Sequence, residues 1–264
     1  GRERDRVMGS QAAFMGFGGV IFLTAGGVLA DLSWRAPFGV YATAFGILLM
    51  IVAFLPEPDG DTDAPGRAHD SAPEPESAPW SSVFLLYGLA FLGMVTFYTI
   101  PVEIPFYLDT FEGVSGSMVG LAIAASTLAS AFASLRYGRL RDRLSVEAVF
   151  LLLFATMAVG FGVIRFAESY AAVVAGLVVC GSGTGFLMPN LNVRAGQIAP
   201  PALRGRIVGG LTTALFLGQF CSPILTRPLI ERLGSGGAYG AVALVPACLA
   251  LCFAVVVARR GTVR

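Results

Sequence analysis

Eight apolar runs, each about twenty residues long, dominate this chain of 264 residues; they lie at approximately 9–30, 36–55, 82–108, 116–135, 146–164, 170–193, 206–226 and 237–258. At 1.5 Å per helical residue such a run crosses the hydrocarbon layer of a bilayer, which is about 30 Å thick. Inside lipid the backbone must satisfy its own hydrogen bonds, so runs of this kind are helices. A water-soluble domain of the same size needs a polar exterior. With 55% hydrophobic and 13% charged residues, the chain has too little polar sequence to build one. The expected class is an all-α integral membrane protein embedded in a lipid bilayer.

The arginines orient it. All eighteen basic residues are arginine, which fits the coding bias of a GC-rich bacterium. Taking alternate gaps between the runs, one set holds Arg2, Arg4, Arg6, Arg67, Arg136, Arg139, Arg141, Arg143, Arg194, Arg204, Arg206, Arg259, Arg260 and Arg264. The other set holds only Arg35, Arg165, Arg227 and Arg232. Basic residues flanking membrane helices stay on the cytoplasmic side. The asymmetry therefore predicts eight spans in a cell membrane with both ends of the segment in the cytoplasm. A net charge of +1 gives no reason to expect nucleic-acid binding. Cys180, Cys221, Cys248 and Cys252 all fall within spans, and none forms a CxxC pair. They read as small apolar residues, so neither a metal nor a cofactor is expected.

The chain also repeats itself. Laying residues 6–55 on 206–255 aligns Arg6 with Arg206, Gly9 with Gly209, Gly18 with Gly218 and Leu29 with Leu229, and sets Asp31 against Glu231. The first two spans thus look like a second copy of the last two. Between spans two and three, residues 56–80 are rich in proline and acid, the composition of a flexible linker. Three parts are expected: residues 1–55 as the last two helices of an N-terminal six-helix half, 56–80 as a cytoplasmic central linker, and 81–264 as a complete C-terminal half. On that reading four N-terminal helices are missing from the front, leaving eight of twelve.

The stretch Gly138-Arg-Leu-Arg-Asp142-Arg143 supplies a family likeness. Together with the six-plus-six duplication and the central linker, it resembles the Gly-x-x-x-Asp-Arg motif between helices eight and nine of the major facilitator superfamily. That family's pattern continues with glycine and further basic residues, where this chain has Leu144-Ser145. The resemblance implies the family's fold and a gating role for the motif. Gly138 would open it, Asp142 would meet a neighbouring helix end and help hold the cytoplasmic side closed, and Arg139 and Arg143 would be ionic partners. The alternative is a positive-inside anchor with one compensating carboxylate. Drug/proton antiporters of the family carry Gly-x-x-x-Gly-Pro-x-x-Gly-Gly in helix five. Here Gly18, Gly26 and Gly27 match, while Phe22 and Leu23 replace the central Gly-Pro. Small residues let membrane helices approach closely, and Ala122, Ser126, Ser130 and Ser134 form a similar ridge.

Transporters of this kind bind substrate near mid-membrane. Counting inward from the loops puts Thr96, Phe97, Ser126, Phe216 and Gln219 at that depth, as candidates for a substrate cavity. Gln219 stands out, because an amide in lipid needs partners. Glu103 is the carboxylate lying inside a span, in Thr99-Ile-Pro-Val-Glu-Ile-Pro-Phe-Tyr-Leu108. Ionisable groups within a membrane often mark proton paths. It is therefore the candidate for proton coupling; the alternative is an interfacial acid, hydrated or paired with Arg227. Pro101 and Pro105 would kink or unwind that end. Pro189-Asn190 reads as a helix stop.

The expected function is secondary transport of small molecules by alternating access, with protons as the coupling ion and export of drug-like compounds or metabolites as the direction. Uptake of a metabolite or sugar, and a membrane scaffold or sensor that moves nothing, are the alternatives. The sole histidine, His69, lies in the linker, which speaks against histidine-based enzymology.

Overall fold

In a computed structural model, residues 18–54 and 79–261 are described; linker residues 56–78, with all of the linker's acidic residues, lie outside this set, and Trp80 already belongs to the helix that follows. Helix α1 is Gly18–Leu32. A 3-10 turn at Ala36–Ala42 leads into α2, Thr43–Phe54. Then come α3 (Trp80–Leu108), α4 (Gly116–Arg141), α5 (Val146–Arg165), α6 (Tyr170–Thr184), α7 (Leu187–Ile198) and α8 (Arg204–Gly261). No strand occurs among the described residues. Six stretches are long and apolar enough to cross a membrane, with α6 and α7 together forming one of them.

Local chemistry sets the boundaries. Ser115, Ser145 and Ser169 cap α4, α5 and α6, each accepting a hydrogen bond from the backbone N–H three residues on, at 3.4, 3.1 and 3.3 Å. Helix α8 leaves helical geometry at Gly234 (φ 68°, ψ 168°), where only glycine is comfortable, and this divides it into two arms, 204–233 and 235–261. The sequence offset of 200 carries the break between α1 and the 3-10 turn onto this same point.

Two expectations change. The sixth run does not stop at Pro189-Asn190. Pro189 has no N–H for the carbonyl of Gly185, so the helix breaks at Gly185–Phe186 and then resumes as α7, to Ile198. Pro101 and Pro105, by contrast, sit inside an unbroken α3.

Around the bundle, α4 packs on α6, α6 on α5, α5 on the second arm of α8, and the first arm of α8 on α3. Aromatic side chains fill the centre. Phe150 and Phe154 of α5 stack with Phe253, ring centroids 5.1 and 6.2 Å away. The Tyr239 ring packs on Tyr107 and Phe161 at 5.1 and 6.3 Å. The outward faces remain apolar, with Phe84, Phe106, Phe132 and Phe166 exposed, as suits a surface solvated by lipid. In α2 no residue is buried.

Candidate proton and substrate site

Glu103 points into the seam between α3 and α8. It is 4% exposed, and Thr226, on the first arm of α8, donates its hydroxyl to Glu103 Oε1 at 3.2 Å. That hydroxyl also lies 2.9 Å from the carbonyl of Ser222, a turn earlier. Ser222 in turn donates to the carbonyl of Val95 at 2.8 Å, tying the two helices together. Beyond Glu103, Tyr107 donates to the carbonyls of Ile164 and Ala167 at 3.4 and 3.2 Å. Tyr239 is 1% exposed, and its hydroxyl has no hydrogen-bond partner among the described residues.

The pairing with Arg227 named in the interfacial alternative is not made in this structure. Arg227 pairs with Glu231 at 3.5 Å, both side chains exposed, and not with Glu103. Among the described residues no cation pairs with Glu103, and the Thr226 hydroxyl is what its carboxyl meets.

The cavity candidates scatter by role. Thr96 is buried but donates to its own helix, at the Leu92 carbonyl 2.8 Å away. Ser126 is buried where its backbone and hydroxyl press on Gly181, which makes it a packing residue. Phe216 is 63% exposed, so its ring lies on the surface of this bundle. Phe97 is half-buried, edge-on to Tyr98 at 5.5 Å. Gln219 is half-buried, and its amide makes no hydrogen bond among the described residues.

The loop motif is also altered. Gly138 and Arg139 belong to the last turn of α4, Asp142 caps it, and Arg143 begins the turn to α5. Asp142 is exposed and makes no ion pair with Arg139 or Arg143. Arg136, Arg139, Asp142, Arg143 and Phe186 line an open recess of about 510 Å³. What fastens this region is a residue the sequence reading took only as a helix stop. Asn190 is fully buried; its Oδ1 accepts from the Tyr137 hydroxyl at 3.0 Å, and its Nδ2 donates to the Val146 carbonyl at 3.1 Å. The α4–α5 turn is thereby bound to α7. The signal was an amide in an apolar run, the same one that singled out Gln219. Among the described residues no group of three or more His, Cys, Asp or Glu could hold a metal ion.

Known proteins share both sequence and architecture with this chain. The human proton myo-inositol cotransporter is 30% identical over 105 residues, 40% of this chain and 16% of that protein. A crystal structure of the peptide transporter POT with sulfate superposes with a TM-score of 0.57 at 18% identity, covering 66% of this chain and 37% of that one. An E310Q mutant of POT with alafosfalin gives 0.57 over 66% and 38%. The chain thus matches well under half the length of each. The family model described as Major Facilitator Superfamily matches residues 1–113 and again 86–264, so this all-α, multi-pass chain belongs to that superfamily, whose members are transporters and not enzymes.

Proposed function

We propose that this chain is part of a secondary transporter that moves a small organic molecule by alternating access, coupled to protons at Glu103. One observation carries the reading: a carboxyl group buried in a membrane helix whose partner is a hydroxyl and not a cation. The name of the proton myo-inositol cotransporter supports the choice of ion. Gln219, with its amide unengaged, is the polar group best suited to meet substrate, beside Phe97. Thr96 serves only if its hydroxyl leaves Leu92. In the same proposal the arginine-rich turns face the cytoplasm of a bacterial cell, α1 and α2 close an N-terminal six-helix half, and α3 to α8 form the second half. Asp142, unpaired here, latches onto a helix end of that first half.

The direction proposed is export, in line with the glycines of α1. Uptake is the second reading, favoured by the cotransporter name. Both are tested with the full polypeptide reconstituted into liposomes enclosing a pH-sensitive dye. Ethidium serves as the drug-like probe and labelled myo-inositol as the uptake probe. Proton movement linked to either probe, abolished in Glu103→Gln, is the expected result. Undiminished coupled flux in that variant would refute the role of Glu103.

A further inference from the structure

Resting on that reading, the hydrogen bonds around Glu103 can be counted in each protonation state. When the carboxyl is neutral it has a proton to give, and Thr226 Oγ1 at 3.2 Å can accept it while donating onward to Ser222 O at 2.9 Å. Glu103, Thr226 and the Ser222 carbonyl then form one continuous chain of hydrogen bonds. When the carboxyl is ionised it becomes an acceptor with about four lone-pair sites. Thr226 can turn its proton to Glu103, giving up Ser222, but one donor is far too few for a buried charge. A second donor is required at the site.

Tyr107 cannot supply it, since its hydroxyl is engaged with Ile164 and Ala167. Tyr239 can. Its hydroxyl is the buried side-chain polar atom left without a partner among the described residues. The ring is fixed by contact with Tyr107, one turn after Glu103 on α3, and with Phe161 of α5. Charged groups on the packed elements are occupied elsewhere: Arg227 with Glu231, and Arg165 of α5 with the carbonyl of Gly236 at 3.2 Å.

We propose that the Tyr239 hydroxyl is the second donor to Glu103, idle while the acid carries its proton and engaged when the proton leaves. Tyr239 is therefore a positioning residue for proton release, placed on the second arm of α8. Because it binds only one protonation state, it also couples proton loading to the packing of that arm against α3.

Infrared difference spectroscopy of the full polypeptide in nanodiscs, titrated with acid, tests this without transport. A carboxyl C=O band absent from Glu103→Gln belongs to Glu103. In Tyr239→Phe, which keeps the ring contacts, that band should hold its frequency, since the protonated form does not use Tyr239. Its midpoint should move by about one to two pH units toward alkaline, because the ionised form has lost a charge-assisted hydrogen bond. If Tyr239→Phe does not give a monodisperse sample, fluorotyrosine at position 239, a stronger donor, must move the midpoint the opposite way. A Glu103 band whose midpoint ignores both changes overturns the inference and leaves the proton reading standing. Absence of any Glu103 band across the titration sinks both.

Discussion

Where α6 meets α4 and α5, missing side chains set the spacing at one glycine after another; where α3 meets α8, the close contact of Gly218 with the Phe91 carbonyl is joined by hydroxyl groups. A Cβ on Gly160 would lie 2.7 Å from the backbone nitrogen of Cys180, and one on Gly183 would lie 2.8 Å from the Leu153 carbonyl. Gly181 and Gly185 press on the carbonyls of Ser126 and Ser130. This is backbone against backbone, with no rotamer to relax. The α3–α8 seam holds Thr96, Thr99, Glu103, Ser222 and Thr226 instead, with Pro101, Pro105, Pro223 and Pro228 in its helices. Each proline removes a donor from its helix, and the Thr226 hydroxyl has two acceptors in reach, Glu103 Oε1 and the Ser222 carbonyl. One seam has a single arrangement; the other has alternatives. A half-transporter needs both, a stiff sector to move as a body and a polar sector that can register a proton.

The sharpest way to break this contrast is to add one methyl group to each side. Gly181→Ala should destabilise the protein by about 3 kcal/mol, the upper range for overpacking, since the obstructing atoms are main chain. Gly88→Ala in α3, where a Cβ meets nothing within 4 Å, should change stability by less than about 1 kcal/mol. Denaturant unfolding in detergent measures both. Equal losses would mean that the glycines do not set the spacing.

Next in size is Asn190→Ala. It strands the Tyr137 hydroxyl and frees the Val146 carbonyl, at a cost of about 2 kcal/mol. The loss should appear first as faster hydrogen exchange in the α4–α5 turn. Unchanged exchange there would show that the turn is held by something other than α7.

Smaller still is the structural effect of Glu103→Gln. The amide oxygen can accept from Thr226 as the carboxyl did, so stability should shift by less than about 1 kcal/mol while the proton response is lost. A variant that unfolds would recast Glu103 as a structural acid.

These residues also mark what was legible beforehand. The spans were, because crossing lipid forces twenty apolar residues into one unbroken run, and each run falls on helical structure wherever residues are described, with α4 and the first arm of α8 continuing to 141 and 233, past runs that end at 135 and 226. The break between α6 and α7 was not, because hydropathy continues through Gly185 and only Pro189 betrays it. Depth could be counted along a helix, which put Glu103 and Gln219 on the page. Facing could not: packing decides that Phe216 is exposed on this bundle, and the partner of Glu103 stands on a helix 123 residues away. Tyr239 drew no notice, because an aromatic residue in a membrane span looks like bulk until its hydroxyl is seen without a partner.

The contact between α1 and α4 combines the two designs, and it yields the smallest effect. A Cβ on Gly27 would lie 3.0 Å from Gly120 Cα, and the reverse distance is the same. Beside this tight crossing, Asp31 Oδ2 accepts from the N–H of Ser117, 3.0 Å away in the first turn of α4. An anion belongs there, where unpaired N–H groups and the helix dipole meet it. The hydrogen bond from Ser117 holds the Asp31 carboxyl below its ordinary value of 3.8. The sign follows from linkage: a lowered value means the packed state favours the ionised form, so the contribution is complete above about pH 4 and fades as pH falls further. Asp31 is exposed, so the effect is small and salt weakens it. Spin labels on α1 and α4 should report a constant separation from neutral pH down to about pH 4, then a widening. In Asp31→Asn the acid-dependent step should vanish while the glycine crossing persists. If the two acid profiles superimpose, the glycines alone hold α1 in place, and this contact belongs with the stiff seam rather than between the two.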